Sequence, residues 1–480
     1  MNLPQKPNPF NPGYGELPPL LAGRDIVLNR LRQRLIAVKK KVIKTTPIAL
    51  TGPRGCGKTA LLAWIQLEAK ALKLPVIILD KQAFGSLDSL LQKLYSHTQK
   101  DKQSSEISVG GEIKEPILNL VSLNAGYKRT SQTDIQVILY LEKLLNSINK
   151  KGFVVLIDEA HDMPSEVSKV FYDAAQHTAR NQPILLVIAG TPDLEMVLTR
   201  SHATFSERIQ VARIGRLNRE ESKQALIKPF GASVSFNDHD LNTVLNEAQN
   251  YPYFIQLWGY ALWEVLASTQ KGYVGKTEID AARVEFSQRA WDLYNRRMLE
   301  LNANNMLVPI TEMALRLGET RQPTSIDFAV TAQRIAGNKS LLEAEEKLLH
   351  TGFIWRPVMN QWEYGIPSLA AYVSREGISV VLNKFLAKGE RALPALKVVA
   401  QCFEPPGDTQ RYILRSELEA VLTSELGGNS QAETATSFIN DCMEMGILGL
   451  FLKTEYIIHF APYLVQKVIL EATQKGLLPA

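Results

Sequence analysis

Ile48-Ala49-Leu50-Thr51-Gly52-Pro53-Arg54-Gly55-Cys56-Gly57-Lys58-Thr59-Ala60 is the stretch on which the fold turns. A short apolar run, PIALT at 47–51, leads straight into Gly-x-x-x-x-Gly-Lys-Thr, and helical sequence starts at Thr59. Glycines at 52, 55 and 57 let backbone N–H groups curl around phosphate oxygens, at a helix N-terminus whose dipole favours negative charge. Lys58 has the reach for β and γ phosphates. The Thr59 hydroxyl suits Mg²⁺, which keeps most of its waters and needs few hard oxygen ligands beside the phosphates. Gly52, Pro53, Arg54, Gly55, Cys56, Gly57, Lys58, Thr59 and Ala60 are therefore expected to bind ATP.

A partner for this loop appears a hundred residues on. Phe153-Val154-Val155-Leu156-Ile157-Asp158-Glu159 is an apolar run ending in two carboxylates. Strands of parallel sheets place ligands at their C-terminal edge. Asp158 is expected in the magnesium shell, and Glu159 is expected to orient or deprotonate an attacking water; capping of the next helix is the competing role. Ala189-Gly190-Thr191-Pro192 leaves the Thr191 hydroxyl at the same edge, to position water or to cap a helix. Arg208, in Phe205-Ser206-Glu207-Arg208-Ile209, is the candidate cation for a γ-phosphate across a subunit interface, with Arg213 and Arg216 as rivals. A surface ion pair with Glu207 or Glu220 is its alternative. His161 completes the letters DEAH, but no second sheet domain follows to make a two-lobed helicase motor, so local capping or pairing is expected of it.

The remaining apolar runs, VIILD (76–80), ILLVIAG (184–190) and QVARIG (210–215), join the first two as five strands. All are apolar on consecutive positions, which fits a parallel sheet covered on both faces, a three-layer α/β sandwich. The pattern lapses over about 96–134, read as an insertion. Six prolines in 1–22 give an extended arm expected to pack on the next domain. The sheet domain is assigned to 23–216 and a helical lid to 217–300. Residues 305–376 and 385–475 each repeat helices, a glycine-ended helix and an aromatic hairpin, and are read as two winged-helix-like modules.

With 480 residues, 45% apolar and 21% charged, the chain affords several cores and is not disordered. No eighteen-residue apolar run and no leader-like start suggest neither membrane nor secretion, and three widely spaced cysteines suit the cytoplasm. Net charge is +5, yet residues 24–44 hold eight bases against Asp25 alone, so the rest of the chain is slightly acidic. Val27, Leu28, Leu31, Leu35 and Val38 make this segment an amphipathic basic helix.

Together, GPRGCGKT, VVLIDEAHDM, VIAGTP and FSERI resemble an AAA+ ATPase, nearest the origin-recognition/initiator-like and STAND-like proteins of prokaryotes, over roughly 20–376. The resemblance implies that Arg24, in LAGRD, lies near the adenine and that Pro252, in NYPYF, belongs to the lid segment. That segment has no arginine where many AAA+ proteins place a second sensor, which favours a slow nucleotide-dependent switch. Self-association in the ATP state is implied, along with a protein effector or DNA as partner and no membrane. Helix 339–351 carries Lys339 and Lys347 against Glu343, Glu345 and Glu346, while 433–445 has Glu433, Asp441 and Glu444 with no base. Phosphate would be repelled there, so protein contacts are expected. A DNA-bound initiator or transposition-type regulator, using the basic helix, the insertion, or Arg356 and Arg375, is one alternative. A defence or signalling sensor is the other.

Overall fold

This computed structural model describes residues 7–13, 15–100, 131–318, 321–336, 340–358, 360–403, 412–426, 432–450 and 454–479. Two compact units divide the chain, Met1–Arg283 and Val284–Ala480.

In the first unit, β1 (Ile48–Thr51), β2 (Val76–Leu79), β3 (Phe153–Ile157), β4 (Ile184–Gly190) and β5 (Gln210–Arg213) form one sheet in the order β2-β3-β4-β1-β5. Every pairing is parallel. All five residues of β3 are buried, and the two-residue side-chain period sends them to two different cores. Val154 and Leu156 join Leu31, Leu35, Leu61 and Ile65 from α1 (Asp25–Lys39) and α2 (Lys58–Ala71). Phe153, Val155 and Ile157 join Leu90, Leu94, Leu141, Leu145 and Phe171 from helices Leu87–Lys100, Ser131–Ile148 and Ser165–Asn181. Each such side chain withdrawn from water contributes ~1.5–3 kcal/mol. The expected three-layer α/β arrangement is thus present, with β5 closing at Arg213 instead of Gly215.

Strand order is what positions the site. β4 lies between β1 and β3, and the register sets Thr51 beside Gly190 and Ile157 beside Ile188. The residues that leave these strands, Gly52, Asp158 and Thr191, consequently emerge at one edge, where the strand order reverses.

Most of the expected insertion lies outside the described residues, and at its edges the chain is helical to Lys100 and again from Ser131. After β5 come helices Arg219–Ile227, Asp238–Glu247, Pro252–Thr269 and Lys276–Ala303. The N-terminal arm, which lies against the sheet domain at Gly15 and Thr59, packs on this later region as well. Phe10 is buried with its ring 5.2 Å from that of Phe230, and Asn8 Nδ2 donates to Tyr260 O at 3.2 Å and Glu264 Oε1 at 2.8 Å.

The second unit repeats one plan. Helices Leu307–Leu317, Ser325–Ala336 and Leu341–His350 precede the antiparallel strands Ile354–Val358 and Gln361–Tyr364. Helices Ala392–Cys402, Arg415–Leu426 and Ala432–Glu444 precede Leu448–Leu450 and Tyr456–His459, also antiparallel. Three helices followed by a hairpin is the winged-helix order. A further strand, Tyr412–Leu414, pairs with Tyr456–His459 and was not anticipated, because three apolar residues carry no readable period. Glu312, buried on the first helix of the first module, accepts from Leu464 N (2.8 Å) and Tyr463 N (3.4 Å) at the start of helix Pro462–Gln474 and pairs with Arg334 at 3.2 Å. Burial pushes its carboxyl pKa up, against the opposing pull of Arg334 and the two amides.

Candidate nucleotide-binding site

β1 ends in a loop that only glycine can close. A Cβ on Gly52 would stand 2.0 Å from the Ile214 carbonyl oxygen, and Gly57, at φ +98°, starts α2 in a conformation that other residues rarely adopt. α2 has no side-chain cap and no acid in its first turn. Its unpaired N–H groups and positive dipole end face the loop with nothing of opposite charge from the helix itself. Lys58 is buried and donates from Nζ to the carbonyls of Gly52 at 2.7 Å and Pro53 at 2.9 Å. Cys56 and Ala60 are buried below the loop.

Contacts from elsewhere in the unit hold the loop. Arg24 Nη2 donates to Cys56 O at 3.1 Å and to Gly215 O at 2.6 Å, tying the loop to the chain that leaves β5. Burial lowers the Arg24 pKa from its ordinary value, with partial compensation from Cys56 and Glu221. Pro252 occupies the first turn of its helix, where its missing N–H costs nothing. The tyrosines beside it touch the loop: Tyr251 Oη donates to Arg54 O, and Tyr253 N donates to Gly55 O at 3.2 Å. Neither tyrosine stood out in the sequence, although the aromatic pair around a helix-starting proline was a visible signal. The arm also passes here, since a Cβ on Gly15 would lie 2.8 Å from Thr59 Cγ2.

At the ends of β3 and β4 the expected carboxylates meet the loop, and Thr191 joins them through His161. Thr59 Oγ1 donates to Asp158 Oδ2 at 2.9 Å. Glu159 adopts a left-handed backbone, φ +49°, and its side chain caps nothing. Its Oε1 lies 3.3 Å from Arg54 Nη1 and its Oε2 3.3 Å from His161 Nε2. His161 reaches further than local pairing, because its Nδ1 accepts the Thr191 backbone N–H at 3.2 Å. Thr191 is fully buried, and its Oγ1 has no hydrogen-bond partner among the described residues, so it does not serve as a cap.

The three candidate arginines differ in their surroundings. Arg208 is exposed and donates to Gln176 Oε1 at 3.5 Å instead of pairing with Glu207 or Glu220. Arg213 is paired with Glu195 at 2.7 Å, and Arg216 is half-buried.

Residues 44–198 match a family model described as an AAA domain. This segment is an AAA+ P-loop domain. It spans α2, β1 to β4 and the whole phosphate-loop, carboxylate and Thr191 cluster. No curated protein matches the sequence. Among solved structures, the chain is similar to the RuvB Holliday junction branch migration motor of Thermotoga maritima (15% identity, TM-score 0.37, covering 72% of this chain and 92% of that one). It is also similar to Orc1 of Aeropyrum pernix in complex with DNA (13%, TM-score 0.39, 75% and 94%) and to Cdc6p of Pyrobaculum aerophilum (15%, TM-score 0.34, 97% and 98%).

Proposed function

We propose that the chain is an ATP-binding, Mg²⁺-dependent ATPase whose nucleotide state switches its self-assembly and its engagement of a partner. The observation that carries this reading is the 2.9 Å bond between Thr59 Oγ1 and Asp158 Oδ2. It brings two hard oxygens, from a helix start and a strand end, to the mouth of an uncapped helix N-terminus, the donor set suited to a phosphate-bound magnesium. The unsatisfied Thr191 hydroxyl fits the same assignment, being a buried polar atom that a ligand or its water would satisfy.

In this reading Thr59 and Asp158 hold Mg²⁺, and Gly52 to Ala60 cradle the phosphates of ATP. When bound, the metal supplies charge neutralisation for phosphoryl transfer. Lys58 exchanges the Gly52 and Pro53 carbonyls for phosphate oxygens. Glu159 accepts the proton of the attacking water and Thr191 orients that water. Arg24 acts here through the loop it braces, and Pro252 by setting Tyr251 and Tyr253 against that loop. Arg208, exposed while Arg213 is already paired, supplies a cation to a neighbouring copy in an ATP-state homo-oligomer. Three widely spaced cysteines accord with a cytoplasmic setting.

A protein is the favoured partner. Leu341–His350 and Ala432–Glu444, the third helices of the winged modules, are both acidic on balance and would repel phosphate. DNA is the second reading, favoured by Lys39, Lys40, Lys41 and Lys44, all exposed at the end of α1 and just beyond it. Arg32 and Arg34 do not add to that surface, since they turn to Glu68 and Gln210.

Two measurements test the proposal. Lys58→Ala should abolish measurable ATP binding, and Glu159→Gln should retain it while turnover drops on the order of a hundredfold. Unchanged turnover in the Glu159 variant would remove its role, and intact binding in the Lys58 variant would remove the site. Light scattering with ATP and Mg²⁺, with and without duplex DNA, reads the switch; assembly only when DNA is present would transfer the partner assignment to DNA.

A further inference from the structure

Glu159 is hydrogen-bonded on one oxygen and approached on the other by residues to which the family motifs give no such task. Arg54 Nη1, from the phosphate loop, stands 3.3 Å from Oε1, and His161 Nε2 stands 3.3 Å from Oε2. The His161 side chain is completely buried, and Nδ1 accepts the Thr191 amide hydrogen at 3.2 Å. A nitrogen that accepts carries no proton, so the ring hydrogen of the neutral imidazole sits on Nε2, the atom that faces Glu159. Asp162 Oδ1 is the next carboxylate oxygen, at 3.7 Å, and it belongs to a side chain already paired with Lys81.

Room for the ring depends on the strand beside it. A Cβ on Gly190 would lie 3.1 Å from His161 Nδ1 and 3.0 Å from Leu194 Cδ2. Glu159, for its part, is directed at His161 by the left-handed backbone at φ +49°, a conformation that residues with side chains seldom adopt. Oε2 is sealed from solvent and lacks an aligned donor among the described residues, so the 3.3 Å approach of Nε2 lies off the hydrogen-bond line. The other oxygen, Oε1, accepts from Arg54 Nη1 at 3.3 Å.

From this geometry we propose that His161 is the positioning residue for Glu159, and that Arg54 holds Glu159 aside until phosphate oxygens compete for its guanidinium. Once Arg54 turns to the phosphates, Glu159 aligns on Nε2–H of His161, whose own orientation is fixed by the Thr191 backbone. The end of β4 thereby sets the carboxylate at the end of β3. This rests on the reading of Glu159 as the group that takes the proton from water, but the contacts themselves can be tested without turnover.

Nitrogen-15 NMR of histidine-labelled, nucleotide-free full chain is the first readout, with the His161 signals assigned by their absence from His161→Asn. The expected result is a neutral ring protonated on Nε2, whose Nε2 resonance moves in Glu159→Gln and in Arg54→Ala. An Nδ1-protonated ring, or a resonance indifferent to Glu159→Gln, would overturn the positioning role; indifference to Arg54→Ala would overturn the hold by Arg54. The second readout is steady-state kinetics. His161→Phe, which keeps the ring volume without either nitrogen, should lower kcat about 10- to 100-fold with KM unchanged. His161→Gln places an amide N–H near the Nε2 position and should restore most of kcat, whereas His161→Asn, which imitates only Nδ1, should not. Equal losses for Gln and Asn would mean a packing role and overturn the inference. A wild-type chain that fails to hydrolyse ATP but gives the expected NMR shifts would refute the ATPase reading and leave the Glu159 contacts standing.

Discussion

The Tyr251 hydroxyl donates a hydrogen bond to the Arg54 carbonyl, joining the phosphate loop to a residue 197 positions further along the chain. Tyr253 adds its backbone N–H to the Gly55 carbonyl, and Gly55 is crowded enough that a Cβ would stand 3.1 Å from Tyr251 and 3.2 Å from Tyr253. The helical region after the sheet is therefore in direct contact with the loop that carries Arg54. Through Arg54, that contact extends to Glu159.

Tyr251→Phe keeps the ring in its fully buried seat and deletes only the hydroxyl. A single hydrogen bond of this kind contributes about 1 kcal/mol, so ATP affinity should fall roughly fivefold. Isothermal titration calorimetry reads the change. Affinity equal to that of the wild type would show that the loop keeps its shape without this bond.

A second expectation concerns the arm. Phe10 fills the space left by Gly259, where a Cβ would meet the ring at 2.3 Å. In an open helix Gly→Ala would gain up to about 1 kcal/mol from propensity alone. Here Gly259→Ala should expel Phe10, because the ring is buried and cannot give way. Hydrogen exchange at 7–13 should accelerate while β1 and β4 stay protected. If the arm amides exchange at the wild-type rate, Phe10 is not held there.

These contacts mark the limit of what the sequence disclosed. β1, β3 and β4 were legible because burial on both faces demands uninterrupted apolar runs, and all three are buried at every position; β2 and β5, at the sheet edges with Ile78 and Arg213 exposed, were legible from their shorter apolar runs. The phosphate loop was legible because its glycines answer a local backbone requirement. Phe10, Tyr251 and His161 were not, because each works through a distant partner: Gly259, Arg54 and Thr191 respectively. Apolar periodicity reports that a residue is buried, and it is silent on which gap it fills. His161 was expected to pair locally because its letters follow the carboxylates, whereas the parallel register brings β4 alongside and gives its Nδ1 the Thr191 amide.

Charge makes a third expectation. With acidic third helices in both winged modules, assembly driven by ATP should be insensitive to duplex DNA and should persist from about 50 to about 200 mM salt. Assembly through several phosphate contacts would weaken by ~10³–10⁵ across that range. Replacing Lys39, Lys40, Lys41 and Lys44 together by Gln should leave ATP-driven assembly as it was. Loss of assembly in that variant, together with a shallower salt dependence, would place DNA on the end of α1.

The last expectation is a pH dependence in the second unit. His459 Nε2 is sealed from solvent, and its ring lies 5.3 Å from that of Phe403. Burial, with the nearby Arg334 charge, pushes its pKa down to about 4. The unfolded chain takes up this proton near pH 6.5, so the stability that His459 contributes is complete above that value and is lost as pH falls towards 4, by up to about 3 kcal/mol. Glu312 acts with the opposite sign: its raised pKa lets the folded state take up a proton first, which favours folding as pH falls. A comparison of variants cancels that contribution. Urea unfolding of the full chain at pH 7.5 and pH 4.5 should therefore show a smaller acid loss in His459→Gln than in the wild type. Parallel losses would mean that His459 becomes charged without cost in the folded protein.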